Sequence, residues 1–372
     1  MKRILGLVLA VLLIGGVAAA VVAGRTGKDA GTATKTVHGV IGSEKAEFFS
    51  DPDVVKALAA KGFTVKTETS GSWAMEGRDL KGYDFAFPSS KAPADELAAK
   101  YKVDQPLPRP FYSPLVVVAH HSAAQVLADN GLATLRPGSS DAGGEDGGSG
   151  TLKMDAYLKA AKADRTWQQL KGADKFTELT GALSITSTDP NSSNSGALYL
   201  AAASYVADGG RVAANDADIA RTAPLLHKLI AVQGSQQSSS DQPFRDFISG
   251  VGNPLVLVYE SQVASLLIQG QDPGDLTVLY PDTTVPSDHT VVPLTPKGRE
   301  LGELLSTDKR LRELAVRHGF RPQGAGTEFT SATADHTTYL NQTLSGVRQA
   351  PVPKAGVLRK MAARAGDQET SQ

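Results

Sequence analysis

Apolar residues fall into two rhythms along the chain. Short apolar runs at Val37 to Ile41, Tyr83 to Phe87, Leu115 to Ala119, Leu183 to Ile185, Pro254 to Val258, Leu276 to Tyr280 and Thr290 to Leu294 predict buried strands, and Phe63 to Thr67 alternates as a half-buried one. Between them the apolar period lengthens to that of helices. Asp51-Pro52 places an N-cap and a first-turn proline before a helix through Val54, Val55 and Leu58. Further helices are expected after Ala119 up to Asn130-Gly131, around Leu158 and Trp167, over Ala197 to Val206, over Asp218 to Ile230, and from Val263 to Leu267. Lys297 to His318 reads as an amphipathic helix in two pieces, ending at Gly319-Phe320-Arg321-Pro322. Strands alternating with helices predict an α/β chain with mostly parallel sheets flanked by helices. Gly138 to Gly150 (GSSDAGGEDGGSG) is low in complexity and reads as a mobile surface loop. Beyond Pro322 the chain turns polar, and the Pro/Ala/Lys-rich stretch from Ala350 is expected to fray.

The N-terminus sets an expectation about compartment. Lys2 and Arg3 precede an uncharged run of 21 residues, Ile4 to Gly24, and Arg25 and Lys28 follow it. A spanning helix needs about 20 apolar residues, so this run is long enough to anchor the chain with its N-terminus inside. Ala18-Ala19-Ala20 offers a small-residue cleavage site, so removal as a signal peptide is the alternative. Either route exports the remainder, with Arg25 to Lys35 as a polar tether.

Composition narrows the functional classes. The chain of 372 residues has no cysteine, which excludes disulfides, thiolate metal sites, a cysteine nucleophile and an acylated-cysteine anchor. Its 38 basic and 39 acidic residues nearly cancel, which argues against a bulk electrostatic grip on nucleic acid. Catalytic signatures are missing too: there is no G-x-S-x-G elbow and no phosphate loop ending in G-K. The pair His120-His121 lacks companion ligands, and adjacent strand residues point to opposite faces. Asp189-x-Asn191-x-Ser193 begins like a calcium loop but has Leu200 where a glutamate is required. No metal or cofactor is expected.

One feature recurs. Predicted strands end in small hydroxyl or glycine clusters just before helices: Gly42-Ser43, Ser70-Gly71-Ser72, Pro88-Ser89-Ser90, and Asn191 to Gly196. In open α/β sheets, ligands bind beyond the carboxyl ends of strands, where helix N-termini present unpaired N–H groups. Serine and glycine allow close approach and add donors, which suits an anion or oxyanion. Any single cluster is equally well read as an N-cap; the repetition carries the functional reading.

These clusters, in this order, resemble the type II periplasmic, or extracellular, solute-binding proteins, the two-lobed receptors of ABC importers, and among them the molybdate- and phosphate-binding-like group. The resemblance runs from about Val37 to Pro322. It is carried by Gly42-Ser43-Glu44, Ser70-Gly71-Ser72-Trp73, Asp84 to Ser90 (DFAFPSS), Ser113 to Val118, Thr188 to Gly196, Leu255 to Gln262 (LVLVYESQ), and the closing His318-Gly319-Phe320. It implies an α/β, two-lobed fold, each lobe a mostly parallel sheet flanked by helices. The implied division is 1–35 anchor and tether, 36–119 first lobe and hinge, 120–288 second lobe, 289–325 return through the hinge to the first lobe, and 326–372 polar tail. Strands near Val116 and Val292 would be the hinge crossovers. Ser43, Ser70, Gly71, Ser72 and Ser89 would face the ligand from the first lobe, and Ser193, Asn194, Ser195, Tyr259 and Glu260 from the second. Glu260 is ambiguous: in the cleft it would repel an oxyanion, whereas as a cap or ion-pair partner it would not. Trp73 either walls the cleft or packs in the core. The implied function is non-enzymatic capture of a small polar solute or oxyanion by a monomer that delivers it to an ABC permease. The missing acylated cysteine leaves a second reading, a membrane-anchored sensor or protein-interaction module that reuses the fold.

Overall fold

A computed structural model describes residues 34–136, 147–324 and 326–366. The expected anchor at 1–33 and most of the glycine-rich loop lie outside these residues. Among the described residues no helix is long and apolar enough to cross a membrane.

Two main sheets organise residues 35–366. The first contains β1 (Lys35–Ile41), β2 (Phe63–Thr69), β3 (Phe85–Phe87) and, returning from far along the chain, β12 (Val292–Pro293), in the order β12-β3-β1-β2. β1 pairs in parallel with β2 and β3, and β12 is antiparallel to β3. Gly39 in β1 is required by packing: a Cβ there would lie 2.1 Å from the Phe85 ring. Helix Pro52–Ala60 opens as expected, with the Asp51 carboxylate accepting from the Asp53 amide at 2.7 Å and proline in the first turn. It buries Val54 and Leu58 with the phenylalanines at 48, 49, 63, 85 and 87.

The second sheet has the order β6-β7-β9-β5-β8: β6 is Ala133–Leu135, β7 Gly148–Leu152, β9 Leu276–Pro281, β5 Leu115–His120 and β8 Leu255–Tyr259. It is mixed rather than mostly parallel. β7 and β9 are parallel, but β5 enters from the first lobe against the direction of both its neighbours, and β6 is antiparallel to β7. Leu183 to Ile185 is not a strand; isolated bridges flank it at Ala182 and Thr186.

Between the two sheets lies a short three-stranded ribbon. β4 (Phe111–Tyr112) is its centre, flanked antiparallel by β11 (Asp288–His289) and β13 (Arg321–Pro322). Val116 lies inside the second sheet, paired with Val258, and Val292 inside the first, paired with Ala86.

Two regions correct the reading from composition. The glycine-rich loop gives way to β7 at Gly148. A Cβ at Gly147 would meet the Leu276 carbonyl at 1.8 Å and one at Gly150 the Thr134 carbonyl at 2.5 Å, so these glycines serve close strand packing. The C-terminal region is folded rather than frayed. Short strands β10 (Thr283–Thr284) and β14 (Arg348–Gln349) pair in parallel. Helix Ala355–Gly366 then buries Val357, Leu358, Met361, Ala362 and Ala365 against helices Asp216–Ala231 and Asn194–Ala207. Those five positions form one helical stripe, which the high alanine and lysine content obscures.

Candidate ligand-binding cleft

In the first lobe, the loops after β1, β2 and β3 deliver Ser43, Ser70 to Ser72, and Ser89 to one edge of the sheet. The facing edge of the second lobe presents three helix starts. Ser193 to Ser195 open helix Asn194–Ala207, Tyr259 precedes helix Glu260–Ile268, and Ser238 to Ser240 precede helix Asp241–Ile248. Neither Ser90, before helix Lys91–Tyr101, nor Ser193 caps its helix with its side chain, so both hydroxyls are free to turn elsewhere.

These elements close around one small polar pocket. Its wall includes Ser43, Ser70, Gly71, Ser72 and Ser89 from one lobe and Ser193, Asn194, Ser195 and Tyr259 from the other. Every residue expected at the site is therefore brought together except Glu260. The pocket is tight, with a cavity volume of about 10 Å³. That is room for roughly one water.

The lobes touch directly across it. Ser43 and Ser239 hydroxyls lie 2.8 Å apart, the Ser90 hydroxyl donates to Asn194 Oδ1, and the Trp73 and Ala74 amides donate to the Ser192 carbonyl at 3.1 and 3.3 Å. Gly71 makes this approach possible. A Cβ there would stand 2.4 Å from the Ser192 carbonyl oxygen and 3.4 Å from that of Ser238, both on the opposite lobe. Within each lobe the hydroxyls satisfy one another: Ser72 with Ser89 at 3.2 Å, and Ser195 with Thr188 at 2.7 Å and Ser193 at 3.2 Å. The Asn194 amide donates to the Tyr259 hydroxyl at 2.9 Å.

Sequence reasoning missed two groups at the pocket. Ser238 to Ser240 line it from a run, Ser-Ser-Ser-Asp before a helix, that was visible in the sequence. Glu44 also lines it and accepts from the Ser89 hydroxyl at 2.5 Å. Behind Glu44 stands Lys45, fully buried, paired with the Glu44 carboxylate and 3.2 Å from both Ser89 Oγ and His289 Nδ1. Burial pushes the Lys45 ammonium below its usual range, against the pull of Glu44. Burial, with Lys45 alongside, pushes the His289 imidazole well below its usual value. Burial also pushes the Tyr259 phenol up, keeping it a neutral donor.

Glu260 does not face the pocket. It is fully buried, and its carboxylate accepts from Arg321 Nε at 2.5 Å, Arg321 Nη2 at 2.8 Å and the Tyr280 hydroxyl at 2.5 Å. Arg321 in turn donates to the Asn341 and Gln342 carbonyls at 2.7 and 2.6 Å, and its guanidinium lies 3.9 Å from the Phe329 ring centre. Glu260 is thus the ionic anchor for residues 328–347, and it places no charge in the cleft. Trp73 packs in the core, with the Arg359 guanidinium 5.0 Å from its ring.

A larger chamber adjoins the pocket. It is also lined from both lobes and shares Ser43 and Glu44 with the pocket, so the two form one interlobe cleft. Its volume is about 590 Å³.

No family sequence model matches the chain, and no curated protein matches it in sequence. Solved structures do share its fold. The periplasmic binding protein AfuA from Actinobacillus pleuropneumoniae, solved with exogenous fructose-6-phosphate bound, is 12% identical with a TM-score of 0.53, over 89% of this chain and 97% of that one. The substrate-binding protein of an ABC transporter from Agrobacterium tumefaciens is 13% identical with a TM-score of 0.51, over 91% and 97% of the two chains. Iron-bound HitA from Pseudomonas aeruginosa is 11% identical with a TM-score of 0.50, over 89% and 99%. At these identities the likeness is one of fold: this chain has the two-lobed, type II periplasmic-binding-protein architecture.

Proposed function

We propose that this protein is an exported receptor that closes two lobes over a small polar solute and passes it to the permease of an ABC importer. The observation that carries the reading is the convergence of serine-rich strand ends and helix starts from both lobes on one pocket, whose walls must part to admit a solute larger than water. Contacts made by both lobes to one ligand favour the closed state over the open one, which is how such a fold signals occupancy. Two of the solved structures sharing the fold, AfuA and the Agrobacterium tumefaciens protein, are binding proteins, which supports capture without covalent chemistry. The uncharged N-terminal run would hold the receptor, as a monomer, at the outer face of the membrane.

The favoured ligand class is an oxyanion. Hydroxyls and first-turn N–H groups supply donors, and helix N-termini add positive potential. Glu44 tunes this preference. Lys45 directly behind it offsets its charge, so an oxyanion meets a paired carboxylate rather than a bare one. A carboxylate only accepts hydrogen bonds, so it favours an oxyanion that still carries a proton, such as hydrogen phosphate, over sulfate.

A thermal-shift screen against phosphate, molybdate, tungstate, sulfate, sugars, amino acids and peptides tests this. The protein used must retain residues up to 366, because the last helix is part of the core. A ligand at 100 times its Kd stabilises by about 2.7 kcal/mol, a shift of several degrees. A shift confined to oxyanions supports the proposal; a cooperative melt that no solute moves refutes it.

A further inference from the structure

The larger chamber differs in chemistry from the pocket beside it. Carboxylates of Glu44, Glu47 and Asp241 line it, against a single guanidinium, Arg245. Glu44 is already matched by Lys45, and the remaining excess is acidic. Phe244 and Ile248 add apolar lining to the same chamber. Two further lining residues hold buried polar atoms that have no hydrogen-bond partner among the described residues: Ser261 Oγ and His318 Nδ1. Both side chains are more than nine-tenths buried, at 2% and 7% exposure. The His318 Nε2 atom lies 2.7 Å from the Asp51 carboxylate and donates to it, which leaves Nδ1 as the ring atom turned to the chamber without a partner. The chamber is therefore rich in acceptors, and it meets the donor-rich pocket at Ser43 and Glu44.

We propose that the cleft takes a two-ended solute: a small oxyanion seated in the serine pocket, joined by a short chain to a cationic amine seated in the acidic chamber. An ammonium group offers only donors and a positive charge, which suits Glu47 and also Asp241, whose carboxylate accepts from Ser239 Oγ at 2.7 Å and Gln262 Nε2 at 3.2 Å but has no cation in ion-pair contact among the described residues. Phe244 and Ile248 face the methylene link. The proposal rests on the oxyanion-receptor reading above and adds the second half of the ligand. It also accounts for a cleft larger than a bare tetrahedral anion would need.

The test is calorimetric titration of the full chain with three probes: inorganic phosphate, phosphoethanolamine and ethanolamine. Phosphoethanolamine is expected to bind about tenfold tighter than phosphate or better, the size of one charge-assisted hydrogen bond in a partly buried site. Ethanolamine alone is expected to bind far more weakly than either. Glu47 is exposed, and among the described residues its carboxylate has no hydrogen bond or ion pair within the protein, so Glu47→Gln keeps the fold. It should remove most of the phosphoethanolamine advantage and leave phosphate affinity unchanged. Equal affinity for phosphate and phosphoethanolamine, or an advantage that survives Glu47→Gln, overturns the two-ended ligand and leaves the oxyanion receptor standing. Binding of none of the three overturns the two-ended ligand, and the oxyanion reading falls with it if none of the screened oxyanions moves the melt.

Discussion

Replacing Arg321 with methionine separates the structural role of Glu260 from the ligand-binding role its position suggests. Glu260 has no exposed surface, and four of the hydrogen bonds described above pass through the Arg321 guanidinium: two to Glu260 and one each to the Asn341 and Gln342 carbonyls. Arg321→Met leaves a buried carboxylate held only by the Tyr280 hydroxyl and two carbonyls without their donor. Breaking one side of a buried ion pair costs about 3–5 kcal/mol, because the remaining charge loses its compensation. At about 2–4 °C per kcal/mol for a large domain, the melting midpoint should fall by roughly 6–20 °C. Urea unfolding followed by circular dichroism gives the free energy, and titration with the solute found by screening gives the affinity. Stability should fall while affinity changes less than about threefold, since neither residue lines the pocket. Glu260→Gln combined with Arg321→Met should cost less than the sum of the single changes, because the two share one network. A stability loss under about 1 kcal/mol, or a large affinity loss at unchanged stability, would refute the assignment.

Other consequences are equally direct. Gly71→Ala places a methyl group against the Ser192 carbonyl of the opposite lobe, so affinity should drop about tenfold or more with the melting midpoint of the unliganded protein nearly unchanged; unchanged affinity would mean the lobes do not close here. A bulky residue at Ser70, such as Ser70→Leu, should fill the pocket and abolish binding without unfolding, checked by titration alongside circular dichroism. Met361→Ala, at a fully buried position in the last helix, should cost about 2–5 kcal/mol in urea unfolding, whereas a frayed tail would register nothing. For Asp51, burial alone would raise the carboxyl, but hydrogen bonds from Arg317 and His318 prevail and hold it at about 2. A lowered folded-state value stabilises above the unfolded one, near 3.8, and the contribution is lost as pH falls from about 4 towards 2. Asp51→Asn should therefore destabilise at pH 7 and flatten the acid limb of the stability profile; parallel profiles for variant and parent would contradict this.

What the sequence revealed about the fold divides along a physical line. Strand ends are local events: an apolar run stops, small hydroxyl residues follow, and a helix starts. Ser43, Ser70, Ser89 and Ser193 could be read that way, and the pocket needs nothing else to position them. Glu260 sits at an equally good strand end, but its role depends on Arg321, 61 residues away, and no local pattern announces that pairing. The same holds for the antiparallel insertion of β5, which is set by where the chain crosses between lobes. The C-terminal helix was legible in principle, since Val357, Leu358, Met361 and Ala365 keep a helical period. Composition outweighed periodicity there, and periodicity was the better guide. In the glycine-rich loop, Gly147 and Gly150 read as flexible, whereas packing against Leu276 and Thr134 is what requires them.

Closure on a solute is the central claim, and a distance across the cleft tests it most directly. The chain has no cysteine, so Lys56→Cys in the first lobe and Gln168→Cys in the second, both exposed, would carry spin labels at two chosen sites only. Pulsed electron paramagnetic resonance would then give the distance distribution with and without a solute that stabilises the protein. The account predicts that solute shifts the population to a single shorter distance, and that Gly71→Ala prevents the shift. A solute that binds and leaves the distribution unchanged would contradict it.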